Sequence, residues 1–191
     1  MDLLPTFLNL GGRRALLVGG GSVAASKLET LLRARAEVRL VAPQVHPSIR
    51  DRGVRIEERG FHDSDLDDVW FVVAAATPAV NAEVARAAER RRIFVNAVDD
   101  PPNASAYLGG VIRRAGVTVA ISTNGDAPAL AGLLREGLDA LLPGDLDRWT
   151  SCARDIRARW KSQGIPMAQR RPQLLDALIA LYGKGDEGAL L

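Results

Sequence analysis

Cysteine and histidine are almost absent from this 191-residue chain, which has one Cys and two His. Cys152 cannot form an internal disulfide, and neither His46 nor His62 lies at metal-ligand spacing from it. We therefore expect no resident metal site, and we interpret His62 and Cys152 as structural or surface residues. The chain also lacks an apolar run of the roughly 18 residues that span a bilayer and a basic N-terminal secretory segment. These absences predict no membrane partner and a reducing, cytoplasmic location.

Net charge is small as well, at +2, because 25 Lys and Arg residues stand against 23 Asp and Glu. So weak an excess does not indicate nucleic-acid binding. Arginine does cluster, at residues 90–92, 113–114 and 170–171. Guanidinium groups suit planar carboxylates, so a polycarboxylate ligand fits these clusters, although solvated helix ends would give the same pattern.

Short apolar runs alternate with helical patterns along the first half of the chain, which indicates repeated β-α-β units and a parallel sheet. Strands are predicted over residues 14–18, 37–42, 54–57, 69–75 and 93–98, and helices over 22–35, 63–68 and 79–91.

The pattern changes after about residue 114. A strand is predicted over 117–122, a turn over 124–126, a helix from Pro128 to 142, and helix thereafter with an interruption at 164–166 and a loose tail from 183. We expect a Rossmann-like domain in residues 1–114, a small α/β dimerisation segment in 115–145 and a C-terminal helical region in 146–191. The middle segment is too small to bury its own apolar face, so a homodimer is predicted.

The spacing Gly19-x-Gly21-x-x-Ala24 falls between a predicted strand and a predicted helix, as in dinucleotide-binding proteins. There the first glycine allows the tight turn, the second lets the backbone approach a diphosphate, and the small third residue permits close helix packing. Tight strand-to-helix turns are glycine-rich for other reasons too. Strand, spacing and helix together favour the dinucleotide interpretation.

The sequence departs from that pattern about 20 residues further on, where an Asp or Glu usually binds the ribose hydroxyls. Residues 41–44 read VAPQ, so the choice between NAD and NADP does not follow from a carboxylate. Gln44 could bond the ribose. Arg39 could tolerate a 2′-phosphate but falls within the strand.

Several segments together resemble the precorrin-2 dehydrogenase and sirohydrochlorin ferrochelatase family, the front half of siroheme synthases. They cover roughly residues 1–142 in family order and spacing: LPTF at 4–7, VGGGSVAASK at 18–27, VAP at 41–43, AAAT at 74–77, RIFVNAVD at 92–99, AISTNGDAP at 120–128 and LLR at 133–135. The last third is similar only in length and helical character.

This resemblance implies a homodimer that oxidises precorrin-2 to sirohydrochlorin with NAD, and several family members also insert ferrous iron. It implies Asp99 as the catalytic acidic residue, although the residues alone are equally typical of a turn aspartate. Thr123 stands where some members have a phosphorylated serine. Implied NAD contacts are Gly19, Gly21, Ser22, Val23, Pro43, Gln44, Ala76 and Thr77. Implied substrate contacts are Asn103, Ser105, Ser122, Thr123 and Asn124.

Two other functions stay open at this point. An NAD-binding regulatory protein would need no base at the end of a strand, and it differs from an enzyme in producing no NADH. A dehydrogenase of a small hydroxy acid would leave residues 122–128 unexplained. A methyltransferase domain does not fit in the remaining residues, so we expect precorrin-2 to come from another protein.

Overall fold

The computed structural model describes residues 3–183, so the predicted loose tail lies outside the described residues from 184 onward. The chain forms two compact units. The first contains Met1–Leu108 and Asn124–Asp126, and the second contains Gly109–Thr123 and Ala127–Leu191.

The first unit is a five-stranded parallel sheet in the order β3-β2-β1-β4-β5. Its elements are β1 (Arg14–Val18), α1 (Ser22–Arg33), β2 (Glu37–Val41), α2 (Pro47–Arg50), β3 (Arg55–Glu57), β4 (Phe71–Ala74), α3 (Pro78–Arg91) and β5 (Phe94–Ala97), with 3₁₀ turns at Asp63–Leu66 and Pro101–Asn103. The prediction of a Rossmann-like fold is confirmed.

Both faces of the sheet are covered, because alternate residues of its central strands point to opposite sides. Leu17 and Val73 pack with Leu28 and Leu31 of α1. On the other face, Leu16 and Val72 of the same strands pack with the buried side of α3. This arrangement explains why the strands read as continuous apolar runs.

The second unit begins with an antiparallel hairpin of β6 (Gly110–Arg114) and β7 (Val117–Ile121). The helices α4 (Pro128–Leu141), α5 (Leu146–Gln163) and α6 (Met167–Ala180) follow. The structure thus divides the chain after Leu108 and not after residue 114, because β6 pairs with β7. The assignment of 115–145 to dimerisation and of 146–191 to a separate helical region stays a prediction.

Four charged side chains form a network near the carboxyl end of β3: Arg39, Glu57, Arg59 and Asp65. Asp65 is only 1% exposed, and it accepts hydrogen bonds from both terminal nitrogens of Arg59, at 2.8 and 2.7 Å. Burial raises the pKa of Asp65, but the hydrogen bonds from Arg59 and from the His62 backbone and the charges of Arg59 and Arg39 outweigh it. The pKa of Asp65 therefore lies below its usual range, as does that of Glu57, for which burial is likewise outweighed by hydrogen bonding to Arg59 and by the nearby arginines.

Replacing Asp65 by Asn should lower the free energy of unfolding at pH 7 by about 2 kcal/mol, because Arg59 and Arg39 lose a buried partner. A depressed carboxyl pKa stabilises the fold above the unfolded-state pKa of about 4, and this contribution disappears as pH falls through the folded-state pKa. The gap between wild type and Asp65→Asn should therefore close below pH 4 in denaturant titrations.

The matched control is Asp68→Asn. Asp68 pairs with Arg14 at 3.2 Å, but both side chains are exposed, so the change should stay within about 0.5 kcal/mol. Equal losses in the two variants would contradict a special role for the buried carboxylate.

Candidate functional site

The strand order reverses between β1 and β4. From β1 the chain proceeds outward through β2 to β3, then crosses to β4 and β5 on the other side. In open α/β sheets, ligands bind beyond the carboxyl ends of the strands at such a reversal. The loops after β1, β2, β4 and β5 are therefore the candidate site.

The glycine turn after β1 lies directly against two of these loops. A Cβ atom at Gly19 would lie 2.2 Å from the carbonyl oxygen of Ala75, and one at Gly20 would lie 2.0 Å from that of Gln44. Gly19 also has a φ of 119°, which side chains other than glycine's rarely permit. The sequence prediction assigned no role to Gly20, because close contact with a loop 24 positions away leaves no local signal.

Gly21 differs from its neighbours because a Cβ there would meet no atom within 4 Å. It precedes α1 as the N-cap residue, no side chain caps the helix, and the first turn contains no acidic residue. The first N–H groups of a helix lack intrahelical partners and attract anions. Backbone access at Gly21 and the uncapped turn at Ser22 and Val23 fit a diphosphate group.

The loop after β2 carries the exposed residues Pro43 and Gln44. It is tied to the glycine turn by a hydrogen bond from the His46 N–H to the Gly20 carbonyl, at 2.7 Å. Arg39 is held elsewhere, since it donates to the Asp65 carbonyl at 2.5 Å and lies 3.5 Å from the Glu57 carboxylate. The Arg39 guanidinium is thus already paired with carboxylates, which argues against a role for it with a 2′-phosphate.

The loop after β4 contains Ala76 and Thr77, and it is held by a residue that the sequence prediction missed. Asn81 of α3 is 2% exposed, and its Oδ1 accepts the Ala76 N–H at 3.1 Å. Asn81 lies on the buried face of α3 with Val84 and Ala88. A polar residue on an otherwise apolar helical face was the signal that could have identified it.

Asp99 follows β5 and lies one strand away from this loop, since the Val98 N–H donates to the Ala74 carbonyl at 2.9 Å. Its carboxylate is exposed and makes no hydrogen bond or ion pair within residues 3–183. The neighbouring Asp100 differs, because both its carboxylate oxygens lie 3.0 Å from the Asn103 amide nitrogen. Asp99 has a φ of 54°, which Asp and Asn tolerate better than most residues.

The predicted substrate-binding residues are divided between the two units. Asn103 and Ser105 line a groove of about 410 Å³ along the C-terminal half of α3, and the Ser105 hydroxyl accepts the Val95 N–H at 2.9 Å. Asn124 belongs to the first unit, and Ser122 and Thr123 belong to the second. Thr123 Oγ1 accepts the Ala127 N–H at 3.3 Å, close to the start of α4. Their roles toward a substrate stay predictions.

Across residues 3–183, no three His, Cys, Asp or Glu side chains come together in a way that could hold a metal ion. No helix in the same range is long and apolar enough to cross a membrane.

Two family models match the chain. One, described as "Putative NAD(P)-binding", covers residues 6–110. The other, described as "Sirohaem biosynthesis protein central", covers residues 114–141. Together they cover the sheet, both ends of β6, all of β7 and α4.

Similar curated proteins are siroheme synthases. Siroheme synthase 2 of Cronobacter sakazakii is 43% identical over 176 residues, which is 90% of this chain and 38% of that protein. Siroheme synthase 1 of Serratia proteamaculans is 41% identical over 168 residues, 85% of this chain and 34% of that protein. The chain thus spans little more than a third of the length of these relatives.

A solved structure, "SirC, precorrin-2 dehydrogenase", superimposes with a TM-score of 0.70 at 23% identity. The match covers 91% of this chain and 88% of the other. This likeness supports the fold.

Replacing Gly21 by Val should lower the affinity for NAD at least tenfold while the fold remains intact, because the added side chain enters open space where a diphosphate would approach. Calorimetric titration and thermal unfolding measure the two effects separately. Gly144→Val is the control, since a Cβ at Gly144, in the turn before α5, also meets nothing within 4 Å. Unchanged NAD binding in folded Gly21→Val would contradict the assignment.

Proposed function

Because the chain belongs to the NAD(P)-binding family whose model matches residues 6–110, we propose that it oxidises precorrin-2 to sirohydrochlorin with NAD in siroheme biosynthesis. The similarity to siroheme synthases over 85–90% of this chain supports the substrate. We also propose a cytoplasmic location, which the single cysteine supports.

One observation carries this proposal: the loops predicted to bind the dinucleotide converge on one glycine turn, with an exposed carboxylate one strand away. Gly19 and Gly20 touch the loops that carry Ala76 and Gln44. Asp99 extends from the strand next to β4. A site for a dinucleotide and a base for a proton therefore lie along the same edge of one sheet.

Oxidation of the reduced macrocycle removes a hydride and a proton. NAD, when bound, would supply the hydride acceptor. Asp99 accepts the proton, because its carboxylate is exposed and unpaired whereas Asp100 is engaged by Asn103. The N–H groups at Gly21 and Ser22 would bind the diphosphate, and Asn81 fixes the loop after β4 through the Ala76 N–H.

The same residues favour NAD over NADP. A 2′-phosphate requires a cationic partner near the end of β2. Arg39 is already paired with Glu57 and Asp65, and Gln44 is neutral and exposed. We assign Gln44 to the ribose.

Ferrous iron is included as a candidate substrate. Insertion of a metal ion into sirohydrochlorin displaces two pyrrole protons, which requires a base over the same macrocycle. Asp99 would serve in both reactions. Anaerobic incubation of the protein with precorrin-2, each dinucleotide and Fe²⁺, followed by absorbance, tests the oxidation and the iron insertion separately.

The active protein is proposed to be a homodimer in which α4 packs against a second copy. Five leucines of α4 are 41–80% exposed: Leu130, Leu133, Leu134, Leu138 and Leu141. Ala131 is buried, and its carbonyl oxygen would lie 3.1 Å from a Cβ at Gly110 of β6. Five exposed leucines on one helix of a small unit are typical of a protein–protein interface.

Asp99→Asn should lower kcat for precorrin-2 oxidation by about 10² to 10⁴-fold, the usual contribution of one acid–base group. NAD affinity should stay within about twofold, because the diphosphate loops are unchanged. Asn preserves the size of the side chain and tolerates the positive φ, so the loop should keep its shape. Stopped-flow absorbance under nitrogen measures the rate.

Asp100→Asn is the matched control and should lose less than tenfold. If Asp100→Asn abolished oxidation while Asp99→Asn retained it, the base would be Asp100. If both variants kept full activity, neither aspartate would be the base.

Leu133→Arg should convert the dimer to a monomer, because a guanidinium group cannot be buried in an apolar interface without a partner. Light scattering of wild type and variant measures the mass. Leu175→Arg on α6, where Leu175 is 58% exposed, should leave the mass unchanged. A monomeric wild-type protein would disprove the dimer.

A further inference from the structure

Residues 98–104 form the loop that carries Asp99. Where this loop ends, the chain is held against β5 by four hydrogen bonds. The N–H groups of Ser105 and Ala106 donate to the Val95 carbonyl, both at 2.9 Å. The Val95 N–H donates to the Ser105 hydroxyl at 2.9 Å, and the Asn96 amide donates to the Ala106 carbonyl at 3.0 Å. We call Val95, Asn96, Ser105 and Ala106 the loop clamp.

Asn96 is the exceptional member of the loop clamp. It is 6% exposed in a strand whose neighbours Val95 and Ala97 are apolar, and it lies beside Val73 of β4. Its Nδ2 must face the Ala106 carbonyl, so the orientation of the amide is fixed. Its Oδ1 is buried and accepts no hydrogen bond within the described residues.

A buried acceptor without a partner destabilises a protein, so stability alone does not account for Asn96. An apolar residue would fit the strand pattern on both sides. Such departures from the packing rules are expected where a residue serves function. What Asn96 does in this structure is tie β5 to the far end of the Asp99 loop.

We propose that Asn96 is the positioning residue of Asp99. The proposal rests on the proposed function, in which Asp99 removes a proton from the macrocycle. Asp99 lies only three residues after Asn96, and between them Val98 is bonded to Ala74 of β4. Val98 therefore holds the loop on the β4 side, and the loop clamp holds its other end against β5, so the backbone that carries Asp99 is fixed at both ends.

A positioning role differs from a structural one in how it combines with loss of Asp99. Asn96→Leu keeps a similar shape and removes the amide. It should lower kcat by about 10- to 100-fold, the cost of misplacing a reacting group by about 1 Å. KM for precorrin-2 and the dissociation constant for NAD should change less than about twofold, because the glycine turn and its contacts are untouched.

The deciding experiment is a double-mutant cycle with Asp99→Asn. If Asn96 acts through Asp99, Asn96→Leu should change the residual rate of Asp99→Asn by less than about twofold. The same 10- to 100-fold loss in both backgrounds would overturn the proposal, because Asn96 would then act independently of Asp99. A wild-type protein that did not oxidise precorrin-2 with NAD would overturn the proposed function, and this proposal with it.

Amide hydrogen exchange in the absence of NAD gives a second readout that does not depend on activity. The hydrogen-bonded N–H groups of Val98, Asn103 and Ala104 in this loop should exchange at least about tenfold faster in Asn96→Leu than in wild type, with α1 unchanged. Unchanged exchange in this loop would overturn the proposal.

Ser105→Ala covers the case in which Asn96→Leu fails to fold. Ser105 is exposed, so its substitution should be tolerated, and it removes the acceptor of the Val95 N–H. It should show the same coupling to Asp99 and the same faster exchange. A rise in KM for precorrin-2 without coupling to Asp99 would assign Ser105 to substrate binding and would count against the loop clamp.

Discussion

The contact of the glycine turn with two carbonyl groups is the constraint on which the rest of the first unit depends. Gly19 lies against Ala75 and Gly20 lies against Gln44, at separations that leave no room for a side chain. These contacts fix the loops after β2 and β4 relative to α1. The turn is thus part of the tertiary packing at the carboxyl edge, and Gly21 alone in it faces open space. Because β5 is paired with β4, the position of Asp99 follows from the same packing.

Much of this fold could be predicted from the sequence, because the strands that pack on both faces read as apolar runs and the helices between them keep a helical period. The hairpin strand β6 could not. Its turn at Ala115 and Gly116 has positive φ at both positions, which hairpins usually achieve with Asn or Asp before Gly. Alanine gives no such signal. For that reason the predicted boundary falls after residue 114, whereas the structure divides the chain after Leu108.

Some residues of the candidate site could likewise be predicted from the sequence, and others could not. The fingerprint could be identified locally, since it is a motif of a few residues, whereas Asp99 was singled out by the family resemblance, because a turn aspartate gives the same local pattern. Gly20 and Asn96 could not, because their importance lies in contacts with residues distant in the sequence or in burial of a polar atom. Arg39 shows the reverse case. From the sequence it could tolerate a 2′-phosphate although it falls within the strand, and the structure shows its charge matched by Glu57 and Asp65 from the neighbouring segments.

The left-handed backbone at Asp99 narrows which amino acids evolution can place there. With a φ of 54°, most side chains bring their Cβ too close to the backbone, and Asp, Asn and Gly are the residues best accommodated. Glutamate keeps the charge but lacks the short side chain that bonds locally in this conformation. A positive φ at this point of the loop thus favours aspartate over glutamate as the carboxylate. Few substitutions at residue 99 would therefore leave the loop conformation unstrained.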